Sequence, residues 1–233
     1  MRKFVFAAAT LAALAAFAPL AAQAEPALKI PAPTAQETPA GHTEIAVLAG
    51  GCFWGIQAVY QHIKGVKNAV SGYAGGDPMA AQYNIVSMGT TGHAEAVQVT
   101  FDPHVVSYGQ ILQVYFAVAH DPTQLNRQGP DSGPQYRSEI FPQSEAQAKV
   151  ARDYIAQLDA AQAFPKPIVT KADTMKKPFF VAEDYHQDYA VKHPMQPYIV
   201  YNDAPKVTNL KATFPELWRD EPVTVAKAGN GTN

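Results

Sequence analysis

The tightest constraint on this chain is a change of hydrophobic period within a few residues. Glu44-Ile45-Ala46-Val47-Leu48 is a short apolar run suited to a buried strand, and Gly50-Gly51 interrupt it. Beyond the glycines, Phe53, Ile56, Val59, Tyr60 and Ile63 recur at helical spacing. The backbone must therefore turn from strand to helix in a few residues, with Cys52 at the helix start. A second strand is predicted over Val66 to Tyr73, ended by the turn-forming Gly75-Gly76-Asp77-Pro78. A third follows from alternation: Glu95, Val97, Val99 and Phe101 interleave with Ala96, Gln98 and Thr100.

Two capping signatures mark further helices. Ser107 precedes Gln110 by three residues, ahead of Ile111, Leu112, Tyr115 and Val118; Ser144 and Gln147 repeat the pattern. The second of these helices presents Val150, Ala151, Tyr154, Ile155 and Leu158 inward, and Pro165 and Pro167 stop it. Arg137 to Phe141 and Pro167 to Lys171 read as strands. Strands and helices follow no regular beat, so the expected class is α+β: a two-layer sandwich with helices on a mixed sheet, joined by long loops. The run from Asp121 to Gln135 is rich in glycine, proline and polar residues, which suits a working loop better than an idle connection.

The ends differ from the middle. Arg2 and Lys3, an apolar run from Phe4 to Leu20 and Ala22-Gln23-Ala24 make the pattern of a signal peptide cut after Ala24, which implies export, with the periplasm as the expected compartment. Residues 25–42 carry Pro26, Pro31, Pro33 and Pro39 and read as a Pro-rich linker. Residues 43–202 are expected to form one domain, and 203–233 a loosely ordered C-terminal tail. A net charge of -2 offers no basic stripe for nucleic acid and no basic patch for a membrane surface. Stable membrane insertion is not expected either, and the chain is expected to act as a monomer.

The chain has one cysteine, so it cannot close an internal disulfide, and a free thiol in an oxidising compartment invites a functional reading. At a helix start beside glycines, Cys52 is expected to gain thiolate character; a buried, inert thiol is the plainer alternative. Glu95 shares the apolar strand face, where burial would keep its carboxyl protonated and able to donate a proton, unless it bends out to solvent. Phe53 and Trp54 can wall an apolar pocket or simply fill core. Tyr83, Asp131 and Tyr136 offer hydrogen bonds from loop-like positions. The seven histidines lack zinc-site spacing, and no phosphate loop or dinucleotide fingerprint is present, so no metal and no bound cofactor is expected.

Gly51-Cys52-Phe53-Trp54-Gly55 resembles the signature of the peptide methionine sulfoxide reductase A family. Four further segments resemble its motifs in the same order: Gly72-Tyr73-Ala74-Gly75-Gly76, Thr91-Gly92-His93-Ala94-Glu95, Gln135-Tyr136-Arg137-Ser138 and Ala182-Glu183-Asp184-Tyr185-His186-Gln187. The resemblance spans residues 43–202. It implies a ferredoxin-like core, no metal, and reduction of methionine S-sulfoxide, free or in oxidised proteins, as protein repair. It further implies Cys52 as the nucleophile on the sulfoxide sulfur, Glu95 as proton donor to the oxygen, and Phe53 and Trp54 around the methyl group. Tyr83 and Tyr136 would bond near the oxygen, and Asp131 would orient the substrate.

Two departures stand out. Pro134 replaces a threonine common before the Gln-Tyr-Arg-Ser segment, and no resolving cysteine follows Cys52. The sulfenic acid left on Cys52 must then be reduced by an external thiol, thioredoxin-like or glutathione/glutaredoxin-like. Two other readings remain open on the residues alone. One is a cysteine hydrolase with His93, His120 or His186 as base; the other is a binding module that recognises methionine-like side chains without turnover.

Overall fold

Three strands set the frame: β1 (Glu44–Gly50), β2 (Val66–Ala74) and β3 (Ala94–Phe101). β3 lies between the other two and pairs antiparallel with both, with Leu48 opposite Val97 on one side and Tyr73 opposite Glu95 on the other. β1 and β2 therefore run parallel with β3 inserted between them, and α1 (Phe53–Gln61) makes the crossover. That is the split β-α-β unit of ferredoxin-like folds. The structure, a computed structural model of the chain, describes residues 27–39, 41–172 and 178–225. The segment read as a signal peptide, 1–24, lies outside these residues, as does 226–233 of the expected tail.

The remaining elements build outward from the frame. α2 (Tyr83–Val86) is one short turn between β2 and β3, and α3 (Tyr108–Val114) continues through a π-helical turn at Tyr115–Ala119. β4 (Arg127–Gln128) and β5 (Asp131–Ser132) form a small hairpin inside the loop that the sequence singled out. β6 (Ser138–Phe141) adds to β1, and α4 (Glu145–Ala160) follows it. β7 (Phe179–Val181) adds to β2, giving a five-stranded sheet in the order β6-β1-β3-β2-β7. α5 (Tyr189–Lys192) and α6 (Ala204–Thr213) follow, before a stretch to residue 224 without strands or helices of its own.

The main core lies on the helical side of the sheet. Leu48, Val97, Val99 and Phe101 meet Ile56, Val59 and Tyr60 of α1, Ile111 and Leu112 of α3, and Val150, Ala151 and Tyr154 of α4, all at most 3% exposed. Each large side chain so buried contributes about 1.5–3 kcal/mol relative to exposure. A small second cluster of Val47, Ala49, Ala74, Ala94, Ala96 and Phe141 covers the other face. The alternation in β3 thus sends Glu95 to the helical side, the same side as Cys52 and α1.

Four expectations need correction. The sheet is antiparallel rather than mixed: every pairing among the named strands is antiparallel, and Glu139 with Lys171 forms only an isolated parallel bridge. Pro167 to Lys171 is accordingly not a strand: the Val169 N–H is taken by the Pro122 carbonyl, and only Lys171 bridges to the sheet. The supposed linker is strapped to the body over 27–39. Tyr154 donates to the Pro31 carbonyl at 2.7 Å, Gln157 to that of Ala32 at 2.8 Å, and Ile30 enters the core. The expected tail is structural from its first residue, because Leu210, Phe214 and Leu217 are buried against the same core.

Candidate active site

The turn between β1 and α1 places the thiol. Gly51 adopts φ +98°, a left-handed conformation that glycine tolerates, and a Cβ there would lie 2.5 Å from the Gln128 side chain. Cys52 is the N-cap of α1 and is half-buried. Its thiol makes no capping hydrogen bond of ordinary geometry. The first helical N–H, on Phe53, instead donates to Glu95 Oε2 at 3.1 Å, across from β3. A carboxyl from 42 residues further along the chain therefore sits at the helix start next to the thiol.

Glu95 is 3% exposed, and its carboxyl is pushed up to about 8, chiefly by burial. The Phe53 N–H pulls the other way, and Asp131 and Asp203 add to the rise. Around neutral pH the group is therefore mostly a neutral acid. Asp203, at the start of α6, is fully buried and pushed up to about 6 by burial, with Lys206 Nζ 3.5 Å away opposing the shift. That approach is an ion pair without hydrogen-bond geometry, and both carboxylate oxygens lack a hydrogen-bond partner. Gly55 makes room for it: a Cβ there would stand 2.1 Å from Asp203 Oδ1.

The expected thiolate character of Cys52 is not found. Burial pushes the thiol well above its ordinary value, and Glu95, Asp203 and Asp131 push the same way; only the nearby Trp54 N–H lowers it. The helix start is present, but burial first, and then the nearby carboxyls, outweigh it. The resting group is a thiol beside a protonated acid, so both carry a proton before any substrate arrives.

The aromatic residues form the walls. Trp54 is stacked on Tyr189 with centroids 3.8 Å apart and an interplanar angle of 9°, and stands edge-on to Tyr198 at 5.9 Å. Its indole N–H donates to His186 Nδ1 at 3.2 Å, so the His186 proton is assigned to Nε2. Phe53 points inward, 1% exposed, against His186 at 5.0 Å and Tyr73 at 5.9 Å. Tyr83 opens α2 and packs on His186 at 4.5 Å. Its backbone N–H donates to Glu183 Oε1 at 2.9 Å, while Tyr73 donates to Glu183 Oε2 at 2.8 Å.

Tyr136 ends the 3-10 turn Pro134–Tyr136, where Pro134 occupies a first-turn position that suits its fixed φ. Burial raises the Tyr136 hydroxyl, followed by the influence of Glu95, Asp131, Tyr83 and Cys52. Asp131 on β5 accepts from the Tyr198 hydroxyl, and burial raises its carboxyl. Cys52, Glu95, Trp54, Tyr83, Asp131 and Tyr136, taken from five separate segments, thus converge, with Phe53 behind them. Sequence reading missed Asp203, Tyr198 and Tyr189. The first was assigned to the tail, and the tyrosines carry no local pattern that separates them from packing residues.

The histidines do not serve the thiol. His93 accepts from the Gly76 N–H at 3.2 Å and bonds the Asp77 carbonyl at 2.9 Å. His120 bonds the Tyr115 carbonyl and the Ser138 hydroxyl, and burial pushes it down to about 3. His186 is turned to Trp54. A hydrolase base is therefore absent among these three.

Comparison with known proteins agrees with this geometry. The family described as "Peptide methionine sulfoxide reductase" matches residues 44–217. A Mesorhizobium japonicum protein named peptide methionine sulfoxide reductase MsrA 2 is 57% identical over 194 residues, covering 83% of this chain and 99% of that protein. Among solved structures, methionine sulfoxide reductase A of Corynebacterium diphtheriae superposes with a TM-score of 0.56 at 34% identity, covering 76% of this chain and 89% of that one. Reduced Mxr1 of Saccharomyces cerevisiae gives 0.59 at 31% identity, covering 70% and 92%. The match runs past residue 202 to include the α6 region, and the chain belongs to the peptide methionine sulfoxide reductase A family, the oxidoreductases that return methionine sulfoxide to methionine.

Proposed function

We propose that Cys52 and Glu95 carry out the reduction of methionine S-sulfoxide in this chain. The observation that carries it is the placement of a buried carboxyl on the Phe53 N–H, at the start of the helix that Cys52 caps. Glu95 gives its proton to the sulfoxide oxygen, which lowers the barrier to attack on the sulfur. The Cys52 sulfur bonds to the sulfoxide sulfur as its own proton passes to Glu95. Collapse transfers the oxygen to cysteine and releases methionine as the thioether. The substrate sulfur gains two electrons, and Cys52 loses two to become a sulfenic acid. Tyr83 and Tyr136 supply hydroxyls to the oxygen, Asp131 orients the substrate, and Trp54, backed by Phe53, borders the methyl group.

Recovery needs two external thiols. The first attacks the sulfenic sulfur and releases water, leaving a mixed disulfide; the second displaces Cys52 as a thiol. The single cysteine supports this route, and a thioredoxin-like or glutathione/glutaredoxin-like donor supplies the thiols. Residues 1–24 act as a signal peptide that sends the chain to the periplasm, a reading supported by the pattern ending Ala22-Gln23-Ala24. Sequencing the N-terminus of chain recovered from periplasm tests this: Glu25 as first residue is expected, and retention of Met1 in the cytoplasm refutes it.

The chemistry is tested with separated epimers of a methionine sulfoxide peptide and several thiols. Turnover of the S epimer alone, abolished by Cys52→Ser, is expected. Turnover that survives Cys52→Ser would remove the mechanism, and none with any thiol would favour a binding module.

A further inference from the structure

The recess at Cys52 extends beyond the groups assigned to the sulfoxide. A cavity of about 420 Å³ is bordered by Cys52, Asp131 and Tyr198 and continues between Phe116, Val118 and Phe164. Leu28 of the strapped N-terminal segment also borders it, whereas Glu95, Trp54, Tyr83 and Tyr136 do not. Its size falls in the range of pockets that hold ligands well beyond a single thioether group.

Most polar side chains around this space are already engaged. Asp121 accepts from the Thr123 N–H and hydroxyl and from Gln124, and the Gln128 amide bonds both the N–H and the carbonyl of Asp121. His120 is held by the Tyr115 carbonyl and Ser138, Asp131 by Tyr198, and Asn202 donates to the Tyr198 carbonyl. Lys206 stands beside Asp203. A polar occupant would lose its water and find few free partners in exchange. An anionic one would also face Asp121 and Asp131 with a lysine already paired. An apolar occupant meets neither cost and gains contact with Phe116, Val118 and Phe164.

We propose that this cavity is a subsite for a large apolar side chain next to the methionine sulfoxide in a polypeptide. The chain then binds methionine sulfoxides flanked by such residues more tightly than those flanked by small ones. The proposal rests on Cys52 being the sulfur acceptor, because the cavity borders that residue. Adjacent residues of an extended peptide are only about 3.8 Å apart between Cα atoms, so a neighbouring side chain can reach it.

The test separates the subsite from the chemistry by measuring binding as well as turnover. Two short peptides carry methionine S-sulfoxide flanked by phenylalanine or by glycine, and their dissociation constants are measured on the Cys52→Ser chain. About tenfold or more tighter binding of the phenylalanine peptide is expected, as for burial of one aromatic side chain. Phe164→Ala and, on the more exposed Leu28, Leu28→Ala should each shrink that ratio. Equal binding of the two peptides, or a ratio untouched by both substitutions, overturns the subsite. Turnover by the unsubstituted chain reports on Cys52 separately, since the binding ratio decides the subsite even where no peptide is reduced.

Discussion

Two helices of this chain begin in different ways. α3 is capped from within: the Ser107 hydroxyl accepts from the Gln110 N–H at 3.2 Å, and the Gln110 side chain accepts from the Ser107 N–H at 2.9 Å. α1 has no such box, because its N-cap is Cys52, and the Phe53 N–H is met by Glu95 from another strand. The local cap serves only folding. The remote one holds a carboxyl in a dry, acidic place where a protein built for stability alone would put a serine. The largest effect that follows is on activity. Glu95→Gln keeps the shape and the hydrogen bond but has no acidic proton to give, so kcat should fall about 10²-fold or more. Steady-state kinetics on a saturating S-sulfoxide peptide measure it; retained kcat would reduce Glu95 to a cap.

The next effect is thermodynamic. Glu95 titrates near 4.5 in the unfolded chain and near 8 in the folded one. Between those values the folded state holds a proton that the unfolded state has released, so stability falls as pH rises through the window and is fullest below it. The loss is at most about 1.4 kcal/mol per pH unit, a few kcal/mol in all. Glu37, pushed up to about 8 chiefly by burial and also by its neighbour Glu44, shares the window. The contribution of Glu95 is therefore the difference between unsubstituted and Glu95→Gln chains in denaturant titrations from pH 5 to 9. Glu95→Gln should be less sensitive to pH, and activity of the unsubstituted chain should decline above pH 8. Parallel stability profiles would break the comparison.

A smaller effect tests the acidity around the thiol. Asp203 is a charged neighbour above about pH 6, and its charge holds Cys52 in the thiol form. Asp203→Asn should raise the rate of Cys52 alkylation at pH 7 several-fold, because the thiolate is the reactive species. An unchanged rate would mean that burial and the other carboxyls set the thiol without Asp203. Sequence reading could not foresee this balance. The helix start at Cys52 is visible in local periodicity, but the opposing carboxyls arrive from β3, from β5 and from α6, which converge only when the chain folds.

The same division explains what else was legible. β1, β2 and β3 follow from apolar runs and alternation, and the side of Glu95 follows from the period of two. The strap over 27–39 was not readable, because prolines report a lack of regular structure and say nothing of whether Ile30 and the Pro31 carbonyl find partners. α6 was missed since only Leu210 on it is deeply buried, leaving little amphipathic signal. β7 is three residues long, too short for alternation to show, and its place at the sheet edge depends on pairing with β2.

The smallest effect belongs to the local caps, and it sharpens the contrast because it should leave chemistry alone. Ser144 starts α4 by accepting from the Gln147 N–H at 3.0 Å, but the Gln147 side chain does not return the bond; it accepts from Gln143 and donates to the Ile45 carbonyl. Ser107 therefore sits in a closed box and Ser144 in half of one, with Gln147 committed to holding the helix against β1. Ser107→Ala and Ser144→Ala should each cost about 1 kcal/mol of stability. Ser107→Ala should cost slightly more, since it leaves the reciprocal bond without its partner geometry. Urea titrations resolve changes of this size as shifts in midpoint at constant slope. kcat and KM on a sulfoxide peptide should be unchanged in both variants, because neither cap touches Cys52, Glu95 or the walls around them. Lost activity in a folded Ser107→Ala chain would show that α3 and its π-helical continuation, which carries Phe116 and Val118, transmit their start to the site, and the separation between a cap for folding and a cap for chemistry would then fail.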